Sequence, residues 1–199
     1  MNTKILIACT TNAGSTLEVA EAVAGELSQA GPIAETRRIE EVESLDGYSA
    51  VVVGGPMILG WHRGAVDFLK RHREALSQIP VAYFFTAMSL TKTGEPTLNG
   101  VPVTVDPRLA KEPKSPSRLS MREQYATVAH YLGAVLRAVP QVKPVSVGIF
   151  GGKLDYSKLK LPQMLFVMLI VQAQPGDRRN WPVIRAWAAG LAKQLSISA

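Results

Sequence analysis

A short polar loop near the start of the chain carries residue types suited to binding an anion. Its hydroxyl side chains can donate hydrogen bonds, and its glycine lets the backbone approach a phosphate closely. The loop lacks the G-x-x-x-x-G-K-[ST] and G-x-G-x-x-G patterns of the better-known phosphate binders. It comprises Thr10, Thr11, Asn12, Ala13, Gly14, Ser15 and Thr16.

The flanking residues predict a strand before this loop and a helix after it. Residues 4–9 are mostly apolar, and residues 17–27 carry apolar side chains at helical spacing. Unpaired N–H groups of the first helical turn would point into the loop, where the helix dipole favours negative charge. The alternative is a plain strand-to-helix turn whose small residues serve geometry alone.

The loop resembles the flavodoxin phosphate loop, usually T-x-T-G-x-T. Thr11, Gly14 and Thr16 match that pattern, while Ala13 replaces its middle threonine. The resemblance implies that the loop holds the phosphate of FMN.

Composition limits the other classes of function. The chain has 199 residues, 47% of them hydrophobic and 19% charged, which predicts one globular domain over residues 1–199. The lone Cys9 excludes an internal disulfide and indicates a reducing compartment, and three scattered histidines suggest no metal site. The N-terminal residues lack the long apolar stretch of a secretion signal, so we expect a cytoplasmic protein. The net charge of +6 favours an anionic substrate or membrane surface, because nothing resembles a nucleic-acid module.

Apolar runs and helical runs alternate along the chain. This alternation predicts an α/β fold with a doubly wound, five-stranded parallel sheet. We take its strand order to be the flavodoxin-like 2-1-3-4-5. A region at about 91–120 holds five of the 13 prolines and is predicted to be an irregular insertion. The strands after the first are predicted at 33–39, 50–55, 80–86 and 142–151, and the later helices at 63–78, 121–139 and 181–195.

In this strand order the ligand crevice lies at the carboxyl ends of strands one and three. Two further loops would border it. The one after strand three carries glycine, apolar and aromatic residues, which suit covering a flat ring. We expect the FMN ring to lie between them, although Trp61 alone would also fit an ordinary capping aromatic. The first loop comprises Pro56, Met57, Ile58, Leu59, Gly60 and Trp61, and the second comprises Thr86, Ala87, Met88 and Ser89.

Most of the chain resembles the flavodoxin-fold family that includes menaquinone-dependent protoporphyrinogen dehydrogenase. The likeness rests on residues 10–16, 54–60 and 151–156, on the insertion, and on a final helix that contains tryptophan. It implies an FMN-binding oxidoreductase that passes electrons between a small redox substrate, such as a porphyrinogen, and a quinone. Residues 56–60 read Pro-Met-Ile-Leu-Gly where that enzyme has Ser-Ile-Arg-Tyr-Gly, so the substrate is implied less specifically than the cofactor. No catalytic acid or base is identified.

Two other functions are compatible with the sequence, and the position of one apolar segment is also left open. The protein could be a flavodoxin-like electron carrier without its own substrate, or a flavin-free domain of the same topology. The apolar segment 161–173 begins at Leu161, ends at Ala173 and is flanked by basic residues. It is too short to span a membrane, so it either packs internally or contacts the inner membrane surface peripherally.

Overall fold

The computed structural model describes residues 4–57, 60–93, 97–115, 118–158, 161, 165 and 174–196. Helices and strands alternate through the first half, as the sequence predicts. The strands are β1 (Lys4–Cys9), β2 (Ile33–Arg38), β3 (Ala50–Pro56), β4 (Val81–Ala87), β5 (Leu90–Thr91), β6 (Thr97–Leu98), β7 (Val101–Val105), β8 (Ala110–Lys111), β9 (Ser146–Gly151), β10 (Lys153–Leu154) and β11 (Gly176–Asp177). The helices are α1 (Ser15–Gln29), α2 (Arg63–Arg71), α3 (Arg73–Leu76), α4 (Met121–Tyr125), α5 (Val128–Ala138) and α6 (Trp181–Ser196), with 3₁₀ turns at Ile39–Glu41 and Tyr156–Lys158.

The central sheet has the order β2-β1-β3-β4-β9-β7-β6. Its first five strands are parallel and reproduce the predicted order 2-1-3-4-5, with β9 as the fifth strand. The predicted count of five is too low, because the insertion adds β7 parallel to β9 and β6 antiparallel to β7. In β7, Val101 and Val103 are buried while Pro102 and Thr104 are exposed. This alternation is what a strand with one covered face requires.

Helices cover both faces of the sheet. On one face, α1 and α6 pack side chains such as Val19, Leu27 and Trp187 against β1, β3 and β4. On the other face, Phe68 of α2 and Leu132 of α5 pack against the same strands. Burial on both sides explains why β3 is apolar throughout.

Two of the predicted helices are each divided in two. The predicted helix 63–78 breaks at His72, whose φ of −101° and ψ of 15° lie outside the helical region. The predicted helix 121–139 breaks before Thr127, whose hydroxyl accepts the N–H of His130 and begins α5. As a result Tyr125, which lies just before the break, is 46% exposed.

The apolar segment 161–173 lies outside the described residues except at Leu161 and Leu165. Both of these leucines are exposed, by 65% and 46%. Among the residues that the structure describes, no helix has the length and apolar character needed to cross a membrane.

Candidate functional site

The loop of residues 10–16 connects β1 to α1 at the carboxyl edge of the sheet. The N–H of Thr10 donates to the carbonyl of Gly54 (3.0 Å), which joins this loop to the end of β3. Gly14 adopts a left-handed conformation (φ 87°), and its N–H donates to the Thr11 hydroxyl (2.9 Å). The loop therefore turns sharply at the one residue type that adopts this conformation without strain.

The N-terminus of α1 is open to an anion. Gly14 is the N-cap and has no side chain to accept the first N–H groups of the helix. The acidic Glu18 in the first turn would oppose an anion there, but Arg179 pairs with its carboxylate at 2.6 Å. Arg179 thus compensates the negative charge of Glu18, so that the helix dipole can still attract an anion to the N-terminus of α1.

Buried hydroxyl pairs join the loop to its neighbours. The hydroxyls of Thr16 and Thr86 lie 3.0 Å apart and are buried, so α1 and the end of β4 are in contact. The Thr10 hydroxyl lies 3.1 Å from Nδ1 of His62, which also accepts the N–H of Gly64. Since Nδ1 accepts from Gly64, the imidazole proton belongs on Nε2 and the Thr10 hydroxyl donates to Nδ1.

The loop after β3 folds back on itself. A bridge pairs Met57 with Trp61, and the N–H of His62 donates to the carbonyl of Pro56 (3.1 Å). Met57 and Trp61 are 5% and 8% exposed, and Gly60 adopts a φ of 145°. The predicted site residues Ile58 and Leu59 lie outside the described residues.

Trp61 lies in the core beneath this loop. Its ring centroid is 4.7 Å from that of Phe85 and 5.4 Å from that of Tyr83. The indole N–H donates to the carbonyl of Gly55 (3.2 Å). In this position Trp61 supports the loop from behind instead of covering its outer surface.

The loop after β4 is held by donors from three other elements. The carbonyl of Ala87 accepts the N–H of Gly152 (2.8 Å), and the carbonyl of Met88 accepts Nη1 of Arg178 (2.7 Å). The carbonyl of Ser89 accepts the hydroxyl of Tyr131 (3.1 Å). Sequence reasoning missed Arg178 and Tyr131, and no local motif marks either residue.

Two titratable side chains near the site, Cys9 and Tyr131, are kept protonated by burial. Cys9 is fully buried at the end of β1, and burial raises the pKa of its thiol to about 12, so the thiol stays protonated. Burial likewise raises the pKa of Tyr131 to about 12. No cluster of metal-ligating side chains occurs within the described part of the chain.

The structure thus brings three predicted loops together at one edge of the sheet. The bond from Thr10 to Gly54 at the end of β3 and the bond between Thr16 and Thr86 are contacts that join them. The Ser15 hydroxyl also donates to the carbonyl of Lys153 (3.4 Å), in the segment that follows β9. The strand order reverses between β1 and β3, so this edge contains the crevice where doubly wound folds bind ligands.

Comparisons with known proteins agree with this architecture. The protoporphyrinogen IX dehydrogenase [quinone] of Escherichia coli strain K12 is 34% identical over 85 residues, which is 41% of this chain and 46% of the relative. The match therefore spans about half the length of that relative. A flavodoxin from the domain Archaea superposes with a TM-score of 0.51 at 10% identity, covering 97% of this chain and 99% of the other. The rubredoxin oxygen:oxidoreductase of Desulfovibrio gigas gives a TM-score of 0.50 at 11% identity, covering 99% and 36%.

The family comparison extends over most of the chain. The model described as "Flavodoxin domain" matches residues 6–180, which include the three loops and, except for the first two residues of β1, the strands of the central sheet. The protein is therefore a member of the flavodoxin domain family, which makes it an FMN-binding electron-transfer protein.

Proposed function

We propose that this protein is an FMN-dependent oxidoreductase that oxidises a porphyrinogen-class substrate and reduces a quinone. The observation that carries the proposal is the meeting of the three loops at the edge where the strand order reverses. The partial likeness to a protoporphyrinogen IX dehydrogenase [quinone] supports the substrate class.

The residues at the start of α1 fit the phosphate of FMN. The helix has no side-chain N-cap. Among the described residues, apart from the two chain neighbours of Gly14, no heavy atom lies within 4 Å of the place where a Cβ on Gly14 would stand. The hydroxyls of Thr10 and Thr16 are buried against His62 and Thr86. The N–H of Gly14 already donates to the Thr11 hydroxyl. The phosphate contacts would then come from the backbone N–H groups of residues 12, 13, 15 and 16. The Ser15 hydroxyl would join them by giving up its long bond to the Lys153 carbonyl (3.4 Å).

The loop after β4 fits one edge of the flavin ring. The carbonyls of Ala87, Met88 and Ser89 are all bonded to protein donors. Within the described part of the chain, the N–H groups of Met88 and Ser89 have no acceptor. These N–H groups are therefore free to face the ring, where donors stabilise the negative charge that reduction adds.

Bound FMN would supply the redox chemistry: in each turnover the porphyrinogen loses two electrons and two protons, and the quinone takes up two electrons and two protons to leave as quinol. Full oxidation of a porphyrinogen to a porphyrin removes six electrons and six protons, so it takes three such turnovers and three quinones. The chain's own residues bind the phosphate, border the ring and donate hydrogen bonds to it. Trp61 and Met57 fix the loop after β3 from the core side.

A membrane-surface location suits this reaction, because quinones reside in lipid. The net charge of +6 favours anionic headgroups, and Leu161 and Leu165 present exposed apolar side chains four residues apart. To test membrane contact, the rate of quinone reduction would be measured with the quinone in anionic vesicles and with a water-soluble quinone analogue. Contact with the membrane should make the rate with vesicles the higher of the two.

The phosphate position is tested with Ser15→Asp. A carboxylate in the first turn is favourable to the helix but repels a phosphate, so FMN affinity should fall roughly tenfold or more while thermal stability holds. Riboflavin is the matched control ligand, since it lacks the phosphate and its affinity should change little. Equal losses for both flavins would contradict the assignment.

The reaction is tested by mixing FMN-loaded protein anaerobically with a porphyrinogen and a quinone. Porphyrin fluorescence and quinol should appear together at equivalent electron yields. Flavin reduction by a partner reductase, with no porphyrinogen turnover, would instead identify an electron carrier without its own substrate. A protein that takes up no FMN would refute the proposed function as a whole.

A further inference from the structure

Residues 176–180, the crossing segment, run over the carboxyl edge of the sheet just before α6. Within it, the N–H of Arg178 donates to the carbonyl of Gly152 (3.0 Å). The Arg178 carbonyl lies so close to Gly151 that a Cβ on that glycine would stand 2.0 Å from the oxygen. The backbone of Arg178 is thus fixed directly against the end of β9.

The neighbours of Arg178 anchor the crossing segment on both sides. Arg179 is buried to 5% exposure and pairs with Asp177 (2.5 Å) and with Glu18 of α1 (2.6 Å). Asn180 donates from Nδ2 to Oδ1 of Asp106 (2.9 Å), a fully buried residue that follows β7. The crossing segment therefore links α1, which begins at the proposed phosphate site, to the insertion that contains β7.

From this fixed backbone, Arg178 extends its guanidinium to the loop after β4. Nη1 donates to the carbonyl of Met88 at 2.7 Å, a short, charge-assisted bond. The bond joins residues 90 positions apart and sets the orientation of the Met88–Ser89 peptide. It also places a permanent positive charge beside that loop, because arginine does not deprotonate in proteins.

We propose that Arg178 is a positioning residue for the flavin ring and raises the flavin reduction potential. The inference rests on the proposed function, in which the loop after β4 borders the ring. By holding the Met88 carbonyl away from the ring, Arg178 turns the next N–H toward it. Its cation also favours the reduced flavin, which carries more negative charge than the oxidised form.

The experiment measures the midpoint potential of FMN bound to the wild-type protein and to Arg178→Gln. Removal of the charge should weaken binding of reduced FMN about tenfold more than binding of oxidised FMN. For a two-electron couple this ratio corresponds to a shift of about 30 mV toward more negative potential. Arg178→Lys keeps the charge and should restore most of the shift.

Arg137→Gln is the matched control, because it removes the same charge from an exposed position on α5. It should leave the potential unchanged. A purely structural role for Arg178 would instead lower the thermal stability of the apoprotein without moving the potential of bound FMN. Arg178→Met is a second neutral variant in case the glutamine variant does not fold.

An unchanged potential in either folded neutral variant would overturn the inference while leaving FMN binding intact. Failure of the wild-type protein to bind FMN would be a different result, since it removes the proposed function and this inference with it. The two failures are therefore distinguishable from the wild-type measurement alone.

Discussion

Replacing Gly151 by alanine tests the contact between β9 and the crossing segment. The added Cβ would stand 2.0 Å from the Arg178 carbonyl oxygen and 2.7 Å from its carbonyl carbon. Real Cβ contacts do not fall below 3.0 Å, so β9 and the crossing segment must separate by about 1.0 Å. The obstacle is backbone, which cannot rotate away as a flexible side chain could.

The energetic cost follows from what holds Arg178 in place. Its bonds to the carbonyls of Gly152 (3.0 Å) and Met88 (2.7 Å) oppose the separation. Overpacking costs about 1–3 kcal/mol, and loss of one hydrogen bond adds about 1 kcal/mol. We expect Gly151→Ala to lower the free energy of unfolding by about 2–4 kcal/mol, measured by urea denaturation of the apoprotein.

Gly190→Ala is the same chemical change in an open environment. Gly190 is exposed on α6, and a Cβ there would meet nothing within 4 Å. Because alanine favours the helix, this variant should gain about 0.5–1 kcal/mol of stability. If Gly151→Ala unfolds at the wild-type urea midpoint, the packing of the crossing segment against β9 is wrong.

Two histidine predictions concern α2 and the residue after it. His62→Ala removes the N-cap of α2 and should cost about 1 kcal/mol, whereas His62→Asn keeps an acceptor and should cost a few tenths in the same urea assay. Burial, with a smaller contribution from the charge of Arg71, lowers the pKa of His72, against a hydrogen bond to Val42 that raises it. The stability from neutral His72 is thus present above its unfolded pKa of 6.5 and is lost as pH falls through the lower folded value. His72→Gln should therefore lose less stability than the wild type between about pH 7 and about pH 5, and parallel pH profiles would contradict this reasoning.

Local sequence signals were sufficient for β1, the loop of residues 10–16 and α1. The strand is a continuous apolar run, and the helix repeats its apolar residues at the spacing that one covered face requires. The order 2-1-3-4-5 was assumed from the flavodoxin-like fold. The first five strands of the central sheet have this order, and β7 and β6 extend the sheet beyond it.

The insertion was harder to predict because its signals conflict. Residues 101–105 read Val-Pro-Val-Thr-Val, and the alternation of buried and exposed residues is that of a strand. Pro102 and the other prolines nearby favoured an irregular loop, since proline cannot donate to a ladder. Tertiary pairing decided the outcome, because β7 gains β9 as a parallel partner on one side and β6 on the other.

The role of Arg178 could not be found from local pattern at all. Its partner Met88 lies 90 residues away, and the anchors on either side of it, Glu18 and Asp106, lie on separate elements. An arginine in a polar stretch is most simply a solvated surface residue. Only the folded chain brings its guanidinium to the loop after β4.

Trp61 shows how one residue type can fit two opposite environments. In a glycine-rich loop beside a ligand crevice, an indole could cover a ring or fill the core, and a buried indole N–H needs an acceptor in either case. Here the carbonyl of Gly55 provides it, at 3.2 Å. A Cβ on Gly55 would stand only 2.8 Å from Nε1 of Trp61, so the buried indole fits only because residue 55 has no side chain. Gly55 and Trp61, which lie six positions apart, thus pack as one unit, and in this structure the indole of Trp61 is part of the core.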